Sequence, residues 1–110
     1  MNLIKLLTNE WRRMTENLLK CELIDLDEFK DLSRRTHNIV HDFSDKDTVP
    51  KEICDLILEL QWFSWWVADA EWTPMHGLYQ ELGNVVTALH GHFFAYDDKY
   101  NDIEPFLDMF

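Results

Sequence analysis

Between Lys51 and Lys99 the sequence has no lysine and no arginine, yet those 47 residues carry eight carboxylates and four of the five tryptophans. The charge is segregated: residues 1–51 sum to −1, residues 52–98 to −8 and residues 99–110 to −2 of the total −11. Phosphate contacts need lysine and arginine, which acidic residues outnumber 21 to 10, so direct binding to nucleic acid or to an anionic membrane is not expected. Glycine and proline are scarce at three each, which leaves little turn chemistry for a many-stranded sheet and favours long helices. No run reaches the roughly 18 to 20 apolar residues of a membrane span. The densest stretch, Ile53 to Ala70, is broken by Asp55, Glu59, Gln61 and Ser64. The opening Met1-Asn2-Leu3-Ile4-Lys5 lacks a basic segment followed by a cleavable apolar one, so no secretory signal is expected. Two cysteines, Cys21 and Cys54, make no disulfide framework; both are expected to be reduced and buried in a cytoplasmic protein.

What is present suffices for a core. The hydrophobic fraction is 46% and the aromatic fraction 14%, far from the composition of a chain too polar to offset its ordering entropy. The expectation is a single domain over residues 1–110, all-α, with four main helices packed as a compact bundle and a short C-terminal element, a monomer by preference. Ile4, Leu7, Trp11, Met14 and Leu18 step by three and four residues and predict a helix over about residues 3 to 20. Asp25 followed by Glu28 is a capping-box-like start. Phe29, Leu32, Thr36, Ile39, Val40 and Phe43 then give the stripe of a helix ending near 43.

Residues 44 to 49 read as a polar connector, and Pro50 falls where a first-turn proline is tolerated. Ile53, Leu56, Ile57, Leu60, Phe63, Trp66 and Val67 continue at helical spacing, while Trp62 and Trp65 make the last turns apolar almost all round. That third helix is either central or offers tryptophans to a partner. Thr73-Pro74 repeats the cap-then-proline signal, and Leu78, Leu82, Val85, Val86, Leu89 and Phe93 form a fourth stripe. Gly77, Gly83 and Gly91 interrupt it, which close packing against a neighbour would explain. Phe106, Leu107, Met109 and Phe110 are expected to dock a terminal element back on the core.

Little points to catalysis or to a bound metal. His37 and His41 are spaced i, i+4, and His90 and His92 precede Asp97 and Asp98, but the residue after His37 is Asn38 where the metalloprotease signature has a glutamate. No glycine-flanked serine elbow, no cysteine beside a histidine and no phosphate-cradling glycine pattern is present. The expectation is a non-enzyme with no metal and no cofactor.

The aromatic and acidic residues point to binding instead. Trp65 and Trp66 lie about 100° apart on a helix, so with Trp62 and Trp72 they cover more than one face and at least one is expected to be partly exposed. Aromatic anchors rimmed by carboxylates suit an interface, which places Asp69, Glu71 and Trp72 in one candidate contact patch. Tyr96, Asp97, Asp98, Tyr100, Asp102 and Glu104 form the other, an acidic and tyrosine-bearing segment able to steer a basic partner.

In size, charge, helicity and tryptophan content the chain resembles the small acidic immunity proteins that neutralise bacterial nuclease toxins, as in contact-dependent growth inhibition and colicin systems. The likeness covers the whole chain without a specific motif, and the tyrosine-tyrosine-proline signature of the helical colicin DNase immunity family is absent. The resemblance implies an antitoxin that caps the active site of a cognate basic toxin domain, a ribonuclease of RNase A-like or similar type. The alternative is an acidic helical adaptor or nucleic-acid mimic that occupies a basic regulatory protein. A neighbouring toxin gene would separate the two.

Overall fold

The computed structural model describes residues 2–20, 24–69, 76–94, 99 and 101–108, with only the backbone of residues 68, 69 and 76–80. Five helices follow in order: α1 Leu3–Leu19, α2 Leu26–Phe43, α3 Lys51–Asp69, α4 His76–Phe94 and the single turn α5 Glu104–Leu107. No strand occurs among the described residues.

Local chemistry sets the helix starts. The Asn2 side chain accepts from the free amides of Ile4 and Lys5 at 3.0 and 3.3 Å. Asp25 does the same for Asp27 and Glu28 at 3.0 and 3.2 Å, as its position in the sequence implied. The Glu28 carboxylate, the other half of the expected capping box, pairs with Arg13 of α1. Pro50 stands one residue before α3, and its carbonyl accepts from Ile53 at 3.0 Å. The cap expected at Thr73-Pro74 lies outside the described residues.

The main helices pack as a ring, α1 against α3, α3 against α4, α4 against α2 and α2 against α1. Sequence neighbours α2 and α3 therefore sit across the diagonal and meet through the middle of the bundle. There Trp11, Phe29 and Phe63, from three different helices, are fully buried. The Trp11 ring stands edge-on to Phe63 at 5.2 Å and to Phe29 at 5.8 Å, in the T-shaped geometry that the ring quadrupoles favour. Its indole Nε1–H donates to Thr36 Oγ1 at 2.8 Å. From α4, Leu82, Val85, Val86 and Leu89 complete the core, and Ile103 and Leu107 close its end, so the terminal element does dock. Met109 and Phe110 lie outside the described residues.

Two expectations change. Cys54 is exposed on α3, because the buried register of that helix runs through Ile53, Leu56, Leu60, Phe63 and Val67 and leaves position 54 on the other side; Cys21 lies outside the described residues. On α4 the last buried position belongs to His92, while Phe93 is half-buried. No helix among the described residues is long and apolar enough to cross a membrane.

Candidate functional site

Of the two roles open to α3, the structure shows a helix with one buried and one exposed face. Leu58, Trp62 and Trp65 recur at i, i+4 and i+7, and stand 58%, 51% and 59% exposed. Trp62 and Trp65 lie nearly parallel, with ring centroids 5.8 Å apart and 21° between planes. Trp66, one position on, turns inward against the core. Half-exposed tryptophans on a rigid helix are costly to leave in water and typical of an interface anchor.

The charge around this ridge is less one-sided than the sequence is. Arg12 of α1 reaches Glu59 of α3 at 2.8 Å, supplying a cation that α3 lacks past Lys51. At the start of α3, Lys5 and Lys51 share a cleft of about 300 Å3 with Glu52 and Asp55. All four arginines are committed to carboxylates: Arg13 to Glu28, Arg34 to Glu104, and Arg35 to both Glu10 at 2.7 Å and Asp31 at 2.9 Å. The surplus acids are left at the surface. Asp42, Asp45 and Asp47, at the end of α2 and in the connector, are exposed, as are Asp102 and Asp108.

Of the residues expected to contact a partner, Asp69 ends α3 with its side chain undescribed, and Glu71, Trp72, Tyr96, Asp97, Asp98 and Tyr100 lie outside the described residues. Asp102 and Glu104 come together. Asp102 accepts from the Glu104 amide at 3.0 Å, and both border a polar cleft of about 520 Å3 between α2 and the C-terminal segment. Glu104 is already engaged, since Arg34 clasps both its oxygens at 2.6 and 3.0 Å. Hydrogen bonding to that guanidinium holds the Glu104 carboxyl below the usual carboxylate value and raises that of Arg34.

His37 and His41, which border the same cleft, belong to an imidazole group that only the fold assembles. His37 and His41 of α2 meet His92 of α4, with ring centroids 4.6 and 5.0 Å from His92. The His41 and His92 rings are coplanar within 1°, and His41 Nδ1 lies 2.8 Å from His92 Nε2. This is an in-plane hydrogen bond, with one ring donating to the other. Burial holds His92 below the ordinary histidine value, with the proximity of His37 and His41 adding to the effect. His90 faces the other way, to the Ile57 backbone, and burial lowers it too against that hydrogen bond. Because the His41 and His92 nitrogens point at each other, they do not converge on a common point. No group of three or more histidine, cysteine or acidic residues that could hold a metal ion is found among the described residues.

Sequence reasoning named the tryptophans but passed over Leu58, although its spacing of four and seven to Trp62 and Trp65 was the available signal. His92 with His37 and His41 had no such signal, since some fifty residues separate the partners in the chain. The chain matches no protein-family model, no curated protein and no solved structure.

Proposed function

We propose that this chain acts by binding alone, blocking a basic partner protein through the exposed ridge of α3, and that the partner is a toxin nuclease for which the chain is the antitoxin. The observation that carries the reading is the ridge of Leu58, Trp62 and Trp65, half-exposed in a chain of net charge −11. A nuclease cleft displays lysine, arginine and histidine arranged for a polyanion, and a carboxylate surface can occupy it in place of phosphate. The exposed acids give steering and the indoles give residence, since buried aromatic contacts slow dissociation. The resemblance to immunity proteins supplies the toxin and its ribonuclease activity; the ridge and the charge support only a basic protein partner.

The test is capture with the polypeptide encoded immediately upstream, followed by a nuclease assay with and without this chain. Tight capture with activity abolished is the expected result. Trp62→Ala with Trp65→Ala is expected to weaken capture by about tenfold or more, the scale of an interface hot spot. Charge reversal at Asp97 and Asp98 is expected to slow association by about tenfold at low salt. Capture of a regulatory protein without nuclease activity would overturn the antitoxin reading in favour of an adaptor.

A further inference from the structure

Three features invite a functional reading: the imidazole group at the α2 and α4 seam, the cleft of Lys5, Lys51, Glu52 and Asp55, and the tryptophan pair. The pair carries an inference furthest, because its geometry and its charge surroundings select one chemistry. We infer that Trp62 and Trp65 together receive arginine side chains of the partner, in preference to lysine. This rests on the reading of α3 as the partner-binding face and adds the kind of group that face recognises.

The two indoles are held nearly parallel on one helix, 5.8 Å between centroids, with about half of each side chain open to solvent. The face of an indole is the strongest π-donor among side chains and attracts a cation laid over it. A guanidinium is planar and weakly hydrated, so it stacks on such a face at low desolvation cost, whereas an ammonium is compact and holds its water. Past Lys51, at the far end of α3 from the tryptophans, α3 and α4 carry no lysine or arginine that could cover the indoles. Arg12, which reaches α3 from α1, is held by Glu59.

Charge also decides between occupants. A second copy of this chain would bring two bodies of net charge −11 together, with the carboxylates beside one ridge facing those beside the other. An anionic lipid surface is repelled for the same reason. A basic protein surface is attracted, and among basic side chains the planar guanidinium of arginine stacks on the indole faces better than the ammonium of lysine.

The intact chain and the double variant Trp62→Leu with Trp65→Leu would be titrated with hexaarginine and hexalysine peptides at low salt, following the tryptophan indole N–H resonances. Leucine keeps the site apolar and removes only the π-face, and both positions are exposed, so the fold is not at risk. The expected result is about fivefold tighter binding of the arginine peptide, the scale of an exposed cation–π contact. It comes with shifts at the indoles of Trp62 and Trp65, and the preference is lost in the double variant. Equal affinity for the two peptides, or a preference that survives in the variant, would overturn the inference and leave an acidic binding face intact. Failure of both peptides to bind would overturn that reading as well. A dimer in sedimentation that the leucine variant dissociates would assign the ridge to a second copy and also refute the arginine platform.

Discussion

The hydrogen bond from Trp11 to Thr36 is the most exacting point of the core, and removing either partner should have unequal costs. Trp11 is fully buried between Phe29 and Phe63, and its one polar atom has one acceptor, Thr36 Oγ1 at 2.8 Å. Thr36 in turn donates to the Leu32 carbonyl at 2.7 Å, which fixes the hydroxyl hydrogen away from the indole. In Thr36→Val the shape is nearly kept, but the indole N–H is stranded in an apolar interior, a cost of about 1 to 3 kcal/mol. Trp11→Phe leaves no orphaned donor, loses one hydrogen bond worth about 1 kcal/mol and opens space where the larger ring stood, for a total of about 2 to 3 kcal/mol. In the double variant no polar group is stranded, so Thr36→Val should then cost close to nothing. The cycle should return a coupling of about 1 to 2 kcal/mol. Urea unfolding of the four proteins, with unchanged denaturant slopes, measures it. If Thr36→Val alone costs less than about 0.5 kcal/mol and the two substitutions add, the bond does not contribute as the structure implies. Neither substitution touches the outer face of α3, so partner affinity should be unchanged in both.

Acidification should destabilise the fold from about pH 6.5 downward. His92 and His90 are held below the unfolded value, so the folded state keeps neutral rings while the unfolded chain takes up protons. Stability is therefore full above the unfolded value of about 6.5 and is lost as pH falls toward the folded values, with a limiting slope for His92 of about 1.4 kcal/mol per pH unit. Urea midpoints at pH 7.5 and 5.5 test this, and a midpoint that does not fall between them would remove burial of neutral histidine from the account. Gly83→Ala should stabilise by up to about 1 kcal/mol in thermal or chemical unfolding. A methyl group there would meet Val67 Cγ1 at 3.7 Å, an ordinary contact, so close packing does not require the glycine; a loss of stability would show that it does.

Much of the architecture was legible because helices answer to local rules. The stripe Leu7, Trp11, Met14 and Leu18 is the buried face of α1, and Asp25 caps α2 where its carboxylate and the following pattern placed it. The connector and the start of α3 followed from Pro50 and the polar run before it. On α4 the periodicity was less decisive, since His92 and Phe93 differ by 100° and the neighbouring helix chose which of them faces inward. For Cys54, apolar surroundings in sequence suggested burial, but its angular position on α3 put it in solvent.

The sequence by itself determined the helical class, the limits of α1 and α2, the start of α3 and the overall negative charge, because these depend on spacing, capping and composition within each segment. Only the tertiary structure decided how that charge is distributed. It lent Arg12 to Glu59 across the α1 and α3 contact and gave Arg34 to Glu104 over a separation of 70 residues. It also brought His92 against His37 and His41, and left Trp62 and Trp65 outside while Trp66 turned in. Such choices depend on which helices become neighbours, and in a ring where consecutive α2 and α3 lie on a diagonal, that order rests on contacts between helices, such as those of Trp11, Phe29 and Phe63, and not on any one segment.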